Sequence, residues 1–219
     1  MAIEPTRRWR IAHSESSTGW GGQEHRILAE LAGFQKRGSA GWLLAPPESQ
    51  IYQRCVQAGM PAQPLTTGKC RFPFAVFQTA RWLREQRIEV LNPHSSRDAW
   101  IVGLAGRWAR VPFIVRTRHF DVPIANRWLS GFVYRQLADH LMTTSSKVTA
   151  HFQEYFQWPP ERVSTVPTGI DVDFFSPSGP KAELIPAAQA NGIPLIGMVS
   201  VIRRAKGHGT LMDAARILR

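Results

Sequence analysis

The chain has 219 residues, enough to bury a core in one or two domains. Its 43% hydrophobic and 20% charged residues exclude a disordered or fibrous protein, and no apolar run approaches the ~20 residues that cross a bilayer. The outlier is a net charge of +11, carried mainly by arginine: 22 of 27 basic residues are Arg and 5 are Lys. Arginine's planar fork suits phosphate and carboxylate, so the charge points to nucleic acid, an anionic membrane or a phosphorylated ligand. Arginine-rich genome composition is an equal reading, because the Arg residues are scattered rather than blocked.

The opening MAIEPTRRWRIAHSES carries basic residues with no apolar stretch behind them, so it does not read as a secretory signal. Cys55 and Cys70 match no metal spacing and no redox motif, and both thiols are expected to be free in a reducing cytoplasm. Short apolar runs occur at residues 9–12, 41–45, 88–92, 113–116, 140–143 and 162–166. Helical patterns separate them over about 23–37, 74–86, 98–109 and 145–156. Gly38 stops the first helix, and Arg87 suits the last turn of the second. Strands alternating with helices predict an α/β domain with a doubly wound parallel sheet over roughly the first 170 residues. The stretch FSPSGP at 175–180 reads as a linker. Beyond it, a run over 192–200 reads as a strand and Lys206-Gly207-His208 as the opening of a helix, together too short to bury a core. The predicted division is a domain at 1–175, a linker at 176–192, and one strand and helix at 193–219.

Four stretches can carry chemistry. Thr18-Gly19-Trp20-Gly21-Gly22-Gln23-Glu24 follows the first strand and leads into a helix, where glycines admit a ligand to the backbone and free N–H groups favour an anion. It lacks the G-x-G-x-x-G spacing, and no acidic residue stands at the right place after the next strand, which ends in Pro46-Pro47; both disfavour a dinucleotide dehydrogenase. Asn92-Pro93-His94-Ser95-Ser96-Arg97-Asp98 ends the run at 88–92, on the edge where ligands bind in open α/β sheets. Ser95 or Ser96 can equally be an N-cap there. Arg116-Thr117-Arg118-His119 ends the run at 113–116 and places a second His on that edge, able to hydrogen-bond a developing charge or a substrate hydroxyl. Finally, Val166-Pro167-Thr168-Gly169-Ile170-Asp171-Val172-Asp173 forms a turn, with metal ligation by Asp171 and Asp173 as a minor reading.

In this order GGQEH, NPHSS, RTRH, the Thr144-Ser145-Ser146 helix start, VPTGIDVDFF and VSVIRRAKGH resemble glycosyltransferase family 4 over nearly the whole chain. The resemblance implies a GT-B fold, with two Rossmann-like domains facing across a cleft, and a retaining, metal-independent sugar transfer. It implies no cofactor: a nucleotide-sugar donor is a substrate, and the acceptor is a glycan or a lipid-linked glycan of surface polysaccharide or lipopolysaccharide assembly. Carried over, His119 resembles the active-site His beside the transferred sugar. Gly21, Gly22, His94, Ser95 and Arg118 fall on the acceptor side. Gly22 and Lys206 resemble the group that neutralises the donor diphosphate; the Arg that accompanies the lysine in the family is not at its usual offset here, and Arg203 or Arg204 stands in for it. Thr168 stands where the family's VPNGID hinge has Asn. The E-x7-E pattern that holds the nucleotide ribose does not follow Lys206, so a truncated donor domain, and a chain inactive alone, are expected.

The basic, aromatic stretch 126–135 reads either as an ordinary helix packed on the sheet or as a peripheral contact with an anionic membrane at the cytoplasmic face. A basic α/β module that binds nucleic acid without catalysis is the competing reading. Against it stand the absence of any nucleic-acid motif and of a concentrated basic stripe.

Overall fold

The computed structural model describes residues 7–119, 127–180, 196–202 and 204–218. The chain divides into two units, Met1–Gly169 and Ile170–Arg219. In the first unit the strands are β1 (Arg10–Ser14), β2 (Ala40–Ala45), β3 (Ala62–Pro64), β4 (Val90–Pro93), β5 (Phe113–Arg118), β6 (His140–Thr143) and β7 (Val163–Thr165). Helices α1 (Gly22–Lys36), α2 (Gln50–Gln57), α3 (Phe72–Glu85), α4 (Ser96–Ala109), α5 (Arg127–Gln136) and α6 (Ser146–Phe156) carry the chain from each strand to the next.

All pairings are parallel, in the order β3-β2-β1-β4-β5-β6-β7. The chain runs outward from β1 through β3, then crosses to β4 and runs outward on the other side. This is the doubly wound, Rossmann-like sheet expected from the alternation of strands and helices. The reversal leaves the C-terminal ends of β1 and β4 side by side, with Ser14 opposite Pro93. A ligand crevice belongs at that switch point.

Alternation along each strand divides the core between two layers. Leu43 and Ala45 pack with Ile27, Leu31, Ile51 and Cys55 of α1 and α2. Ala12, Leu44 and Leu91 face the other way, onto Val76 and Leu83 of α3 and Ile101, Val102 and Ala105 of α4. Close approach of α4 to the sheet requires Gly106, where a Cβ would stand 2.7 Å from Leu91 Cδ2 and 2.9 Å from Ile114 Cδ1. A further cluster, including Tyr134, Leu141, Phe152, Phe156 and Trp158, fills the β6–β7 end.

The sequence pattern did not point to β3 or α2. β3 is a three-residue edge strand, Ala-Gln-Pro, without a β-branched or aromatic residue. α2 did carry a signal: Ser49 caps it by accepting from Tyr52 N at 3.3 Å, and Ile51 and Cys55, one turn apart, are its buried face. Arg87 lies beyond α3 rather than in its last turn, in a left-handed conformation (φ 49°). Cys55 is buried and Cys70 exposed, both free thiols, and burial pushes the Cys55 thiol up to about 11.

α5 packs Val133 against Ala99 of α4, while Trp128 at its start is 81% exposed. Among the described residues no helix is long and apolar enough to cross a membrane.

In the second unit α7 (His208–Ile217) follows a 3₁₀ turn at Arg204–Lys206, as the Lys-Gly-His opening predicts. No described residue of this unit is buried. Part of the strand expected over 193–200 falls outside the described residues, and Ile196–Ser200 adopt no strand, since no described segment pairs with them. Asp171 Oδ1 accepts from the backbone N–H groups of Asp173 and Phe174, both at 3.1 Å. Its carboxylate therefore shapes the local turn, an Asx motif, which is the bland alternative to metal ligation.

Candidate functional site

β1 delivers His13 to its α1-facing side, where the ring lies 5.9 Å from Phe34. β4 ends at Pro93, and the next residue, His94, is buried against His13 with Nε2 2.8 Å from His13 Nδ1. β5 ends at Arg118, and His119 follows it with Nε2 2.8 Å from His94 Nδ1. Three imidazoles from three adjacent strand ends thus form one continuous hydrogen-bonded row across the switch point. His94 and His119, both expected here from the sequence, are brought together; His13 joins them unannounced.

Glu30 of α1 backs the row. Its Oε2 is 3.8 Å from His13 Nδ1, and its Oε1 accepts from Arg26 Nε at 2.6 Å. Arg26 is buried and donates onward through Nη1 to the Val166 carbonyl at 2.9 Å and to Thr168 Oγ1 at 3.3 Å. Burial holds all three imidazoles neutral. His13 falls to about 4, with Glu30 opposing and Arg26 assisting the shift. His94 is pushed well below its ordinary value by burial and by the neighbouring His13 and His119. His119 falls to about 4 through burial, helped by Arg26 and Arg116.

A second polar group lies beside the row on the β1–α1 loop. Ser14 Oγ donates to Asp98 Oδ2 at 2.7 Å, Ser16 Oγ to Oδ1 at 3.2 Å, and His94 N to Oδ2 at 3.2 Å. Glu15 accepts from Ser17 N at 2.7 Å and from the side chains of Gln23 and Ser95. Ser95 occupies the N-cap position of α4, but its hydroxyl makes no cap bond and serves Glu15 instead. Burial raises both carboxyls, Asp98 to about 7 with the nearby Glu15 charge adding to the effect. Arg116 Nη1 donates to the Ser95 carbonyl at 2.5 Å, while its buried Nε has no partner among the described residues.

Arg118 goes elsewhere. Strand alternation sets it opposite Thr117, whose hydroxyl donates to Asn92 Oδ1 at 2.8 Å. Arg118 donates to Tyr134 Oη at 3.3 Å and lies 6.0 Å over Phe152. Gly21 is the extended N-cap of α1, with no side-chain cap, and a Cβ at Gly22 would meet no described atom within 4 Å. The fold itself thus requires neither glycine.

In the second unit Arg204 and Lys206 are exposed in the 3₁₀ turn before α7, whose N-cap is Gly207 (φ 78°) without a side-chain cap. Arg203 lies outside the described residues. Among the described residues one group, His13, Glu30 and His94, offers ligand atoms within 4.8 Å of one another, as a metal needs. The His13–His94 separation of 2.8 Å is a hydrogen bond; two nitrogens on one tetrahedral zinc stand roughly 3.3 Å apart.

The sequence profile described as Glycosyltransferase Family 4 matches residues 20–174. The chain belongs to glycosyltransferase family 4. No curated protein matches it. Among solved structures, a glycosyltransferase from Rickettsia africae is similar at a TM-score of 0.75 and 16% identity, over 97% of this chain and 58% of that one. Anabaena HepE, solved with UDP and glucose, is similar at a TM-score of 0.59 and 14% identity, over 84% of this chain and 50% of its own. The lipopolysaccharide outer core galactosyltransferase WaaB is similar at a TM-score of 0.59 and 13% identity, covering 74% and 46%. This family 4 chain therefore spans about half the length of the structures it matches. Its first unit has the Rossmann-like fold of GT-B glycosyltransferases.

Proposed function

We propose that this chain supplies the acceptor side of a transferase that moves a sugar from a nucleotide-sugar to a glycan or lipid-linked acceptor. In this reading transfer retains the anomeric configuration, needs no metal, and serves surface polysaccharide or lipopolysaccharide assembly at the cytoplasmic face of the membrane. The observation that carries it is the His94–His119 pair, held neutral by burial on the switch-point edge of the sheet. A neutral imidazole there can donate a hydrogen bond to a substrate oxygen without placing a cation beside an anomeric carbon that itself becomes positive. Gly22, where a Cβ would meet no described atom within 4 Å, gives a hydroxyl or a phosphate room to approach, beside Gly21, where a Cβ would meet Glu24 Oε2 at 3.5 Å. Arg204 and Lys206, and Arg203 by family resemblance, would take the donor diphosphate at the uncapped start of α7. None of the described residues of the second unit is buried, which supports the proposal that the 219-residue chain alone turns over negligibly.

The test is amide-shift mapping of the whole chain with UDP-glucose and, separately, a DNA duplex. Weak UDP-glucose binding that shifts Lys206 and Gly207 and is lost in Lys206→Ala is expected. Steeply salt-dependent DNA binding with no response to UDP-glucose would replace the transferase reading with a polyanion-binding module. For the membrane, the exposed Trp128 beside Phe132 and Arg135 supports a peripheral contact of α5. Co-sedimentation with phosphatidylglycerol vesicles, weakened in Trp128→Ala, is the expected result; no sedimentation removes the contact.

A further inference from the structure

Among the described residues two arginines are buried, and the fold treats them differently. Arg26, 4% exposed, is ion-paired with Glu30. Arg116, 3% exposed, forms no ion pair among the described residues. A buried charge is normally paired, because its lost hydration must be replaced. Two carboxylates belong to the polar group beside it, yet both are committed elsewhere. Asp98 accepts from Ser14, Ser16 and the His94 N–H, and Glu15 from Ser17, Gln23 and Ser95.

The guanidinium is nonetheless held in place. Its Nη1 donates to the Ser95 carbonyl at 2.5 Å, and its Cζ lies 5.6 Å over the Tyr134 ring. These contacts leave the side of the fork that carries Nε and Nη2. Nε is buried without a partner; Nη2 has no hydrogen bond either and is not wholly buried. The two parallel N–H groups on that side match a carboxylate or a phosphate bidentately. Solvent is close, since the anchoring Ser95 is half-buried and Ser96 and Arg97 after it are exposed. The imidazoles are within electrostatic reach: after burial, the Arg116 charge is among the causes that lower His94 and His119.

We infer that Arg116 determines which acceptor this site takes, its Nε–Nη2 side receiving a carboxylate or phosphate group in a bidentate pair. The inference rests on the reading of the switch-point edge as an acceptor site. It narrows that reading to anionic acceptors, a uronic acid or a sugar phosphate, and excludes a neutral sugar. The ligand's oxyanion supplies the counter-charge that the fold withholds from Arg116. A neutral sugar leaves that charge unpaired. Lysine in its place would keep the charge but lose the second parallel donor.

The experiment follows arginine Nε–H correlations in the ¹⁵N-labelled full chain, with the Arg116 signal assigned through its own backbone. Three probes are titrated separately: glucuronate for the carboxylate, glucose 1-phosphate for the phosphate, and glucose as the neutral control. Saturable movement of the Arg116 signal by an anion, and none by glucose, is expected. A response to glucuronate alone names a uronic acid, and a response to glucose 1-phosphate alone a sugar phosphate. A response to both supports the shared oxyanion chemistry. In Arg116→Lys the affinity for the anion, read from the backbone amides of Ser95–Arg97, should fall about tenfold or more, as for one lost charge-assisted hydrogen bond. An Arg116 signal that neither anion moves, or that glucose moves equally, overturns the inference. Unchanged affinity in Arg116→Lys overturns the bidentate pair; where that variant does not fold, the wild-type titration decides alone. The acceptor reading fails separately: anion binding at Arg116 with no response to UDP-glucose would leave the anion site standing and remove its transferase role.

Discussion

Arg26 Nη1 donates to the Val166 carbonyl at 2.9 Å, closing 140 residues of sequence, while the same side chain holds Glu30 through Nε at 2.6 Å. One buried guanidinium thus ties α1 to the end of the first unit and balances the only carboxylate beside His13 among the described residues. Its planar fork holds the two partners in fixed directions, which the point charge of a Lys does not pre-organise. Replacing Arg26 by Met should cost roughly 2–4 kcal/mol, because a partly buried carboxylate loses its counter-charge. Arg26→Lys should recover part of that by keeping the charge. Urea unfolding measures both; equal stability of Met and wild type would show the ion pair to be idle.

The histidine row makes the protein sensitive to acid. His13 and His119 titrate near 4 in the folded chain and near 6.5 when unfolded, and burial pushes His94 well below its ordinary value. Above pH 6.5 both states are neutral and nothing is lost. Below it the unfolded chain takes up protons that the folded chain refuses, so stability falls as pH drops from 6.5 towards 4. His119→Asn should reduce that pH slope by about one proton's worth. Urea midpoints at half-unit steps of pH test this, and a slope the same in variant and wild type would dismiss it.

Asp98 acts in the opposite sense. Its folded value near 7 lies above the ordinary 3.8, so between about 4 and 7 the folded state holds a proton the unfolded state has lost. Stability attributable to Asp98 is therefore present at low pH and is lost as pH rises to 7, by up to about 1.4 kcal/mol per pH unit. In Asp98→Asn this loss disappears, while the oxygen that accepts from Ser14 is kept. The variant is expected to gain on wild type as pH rises from about 4 to about 7, as read by thermal melting. If it instead loses stability uniformly, the carboxylate's charge is not the strained element.

The sheet was legible because its strands are apolar runs punctuated by turn residues, and those at 41–45, 113–116 and 140–143 fall within β2, β5 and β6. The helices at 23–37 and 145–156 were legible because α1 and α6 present apolar faces at helical spacing. His94 and His119 could be singled out because both follow a strand directly. His13 could not: it lies inside β1, where a polar residue in a strand normally reads as solvent-facing, and here the layer above it is α1. Glu30 and Arg26 were hidden for the same reason, as an i, i+4 pair on a helix that the pattern alone assigns to the surface. Arg118 was grouped with His119 by adjacency, yet period-two alternation sends the two side chains to opposite faces.

Two helical glycines separate packing from propensity. Gly106 and Gly131 both sit within helices, where alanine is intrinsically favoured by ~1 kcal/mol. At Gly131 a Cβ meets no described atom within 4 Å, so Gly131→Ala should raise stability by about 0.5–1 kcal/mol. At Gly106 the new methyl would press to 2.7 Å of Leu91 Cδ2 and 2.9 Å of Ile114 Cδ1, both side chains being fully buried and unable to swing away. Overpacking of this kind costs about 1–3 kcal/mol, which exceeds the propensity gain and should push α4 off the sheet. Because α4 begins at the Ser95–Asp98 turn beneath His94, the shift should also disturb the imidazole row. Gly106→Ala is therefore expected to lower the melting temperature and to move the His94 signals, whereas Gly131→Ala does neither. Equal melting temperatures for the two variants would mean that the β4–β5 face has room the packing does not show.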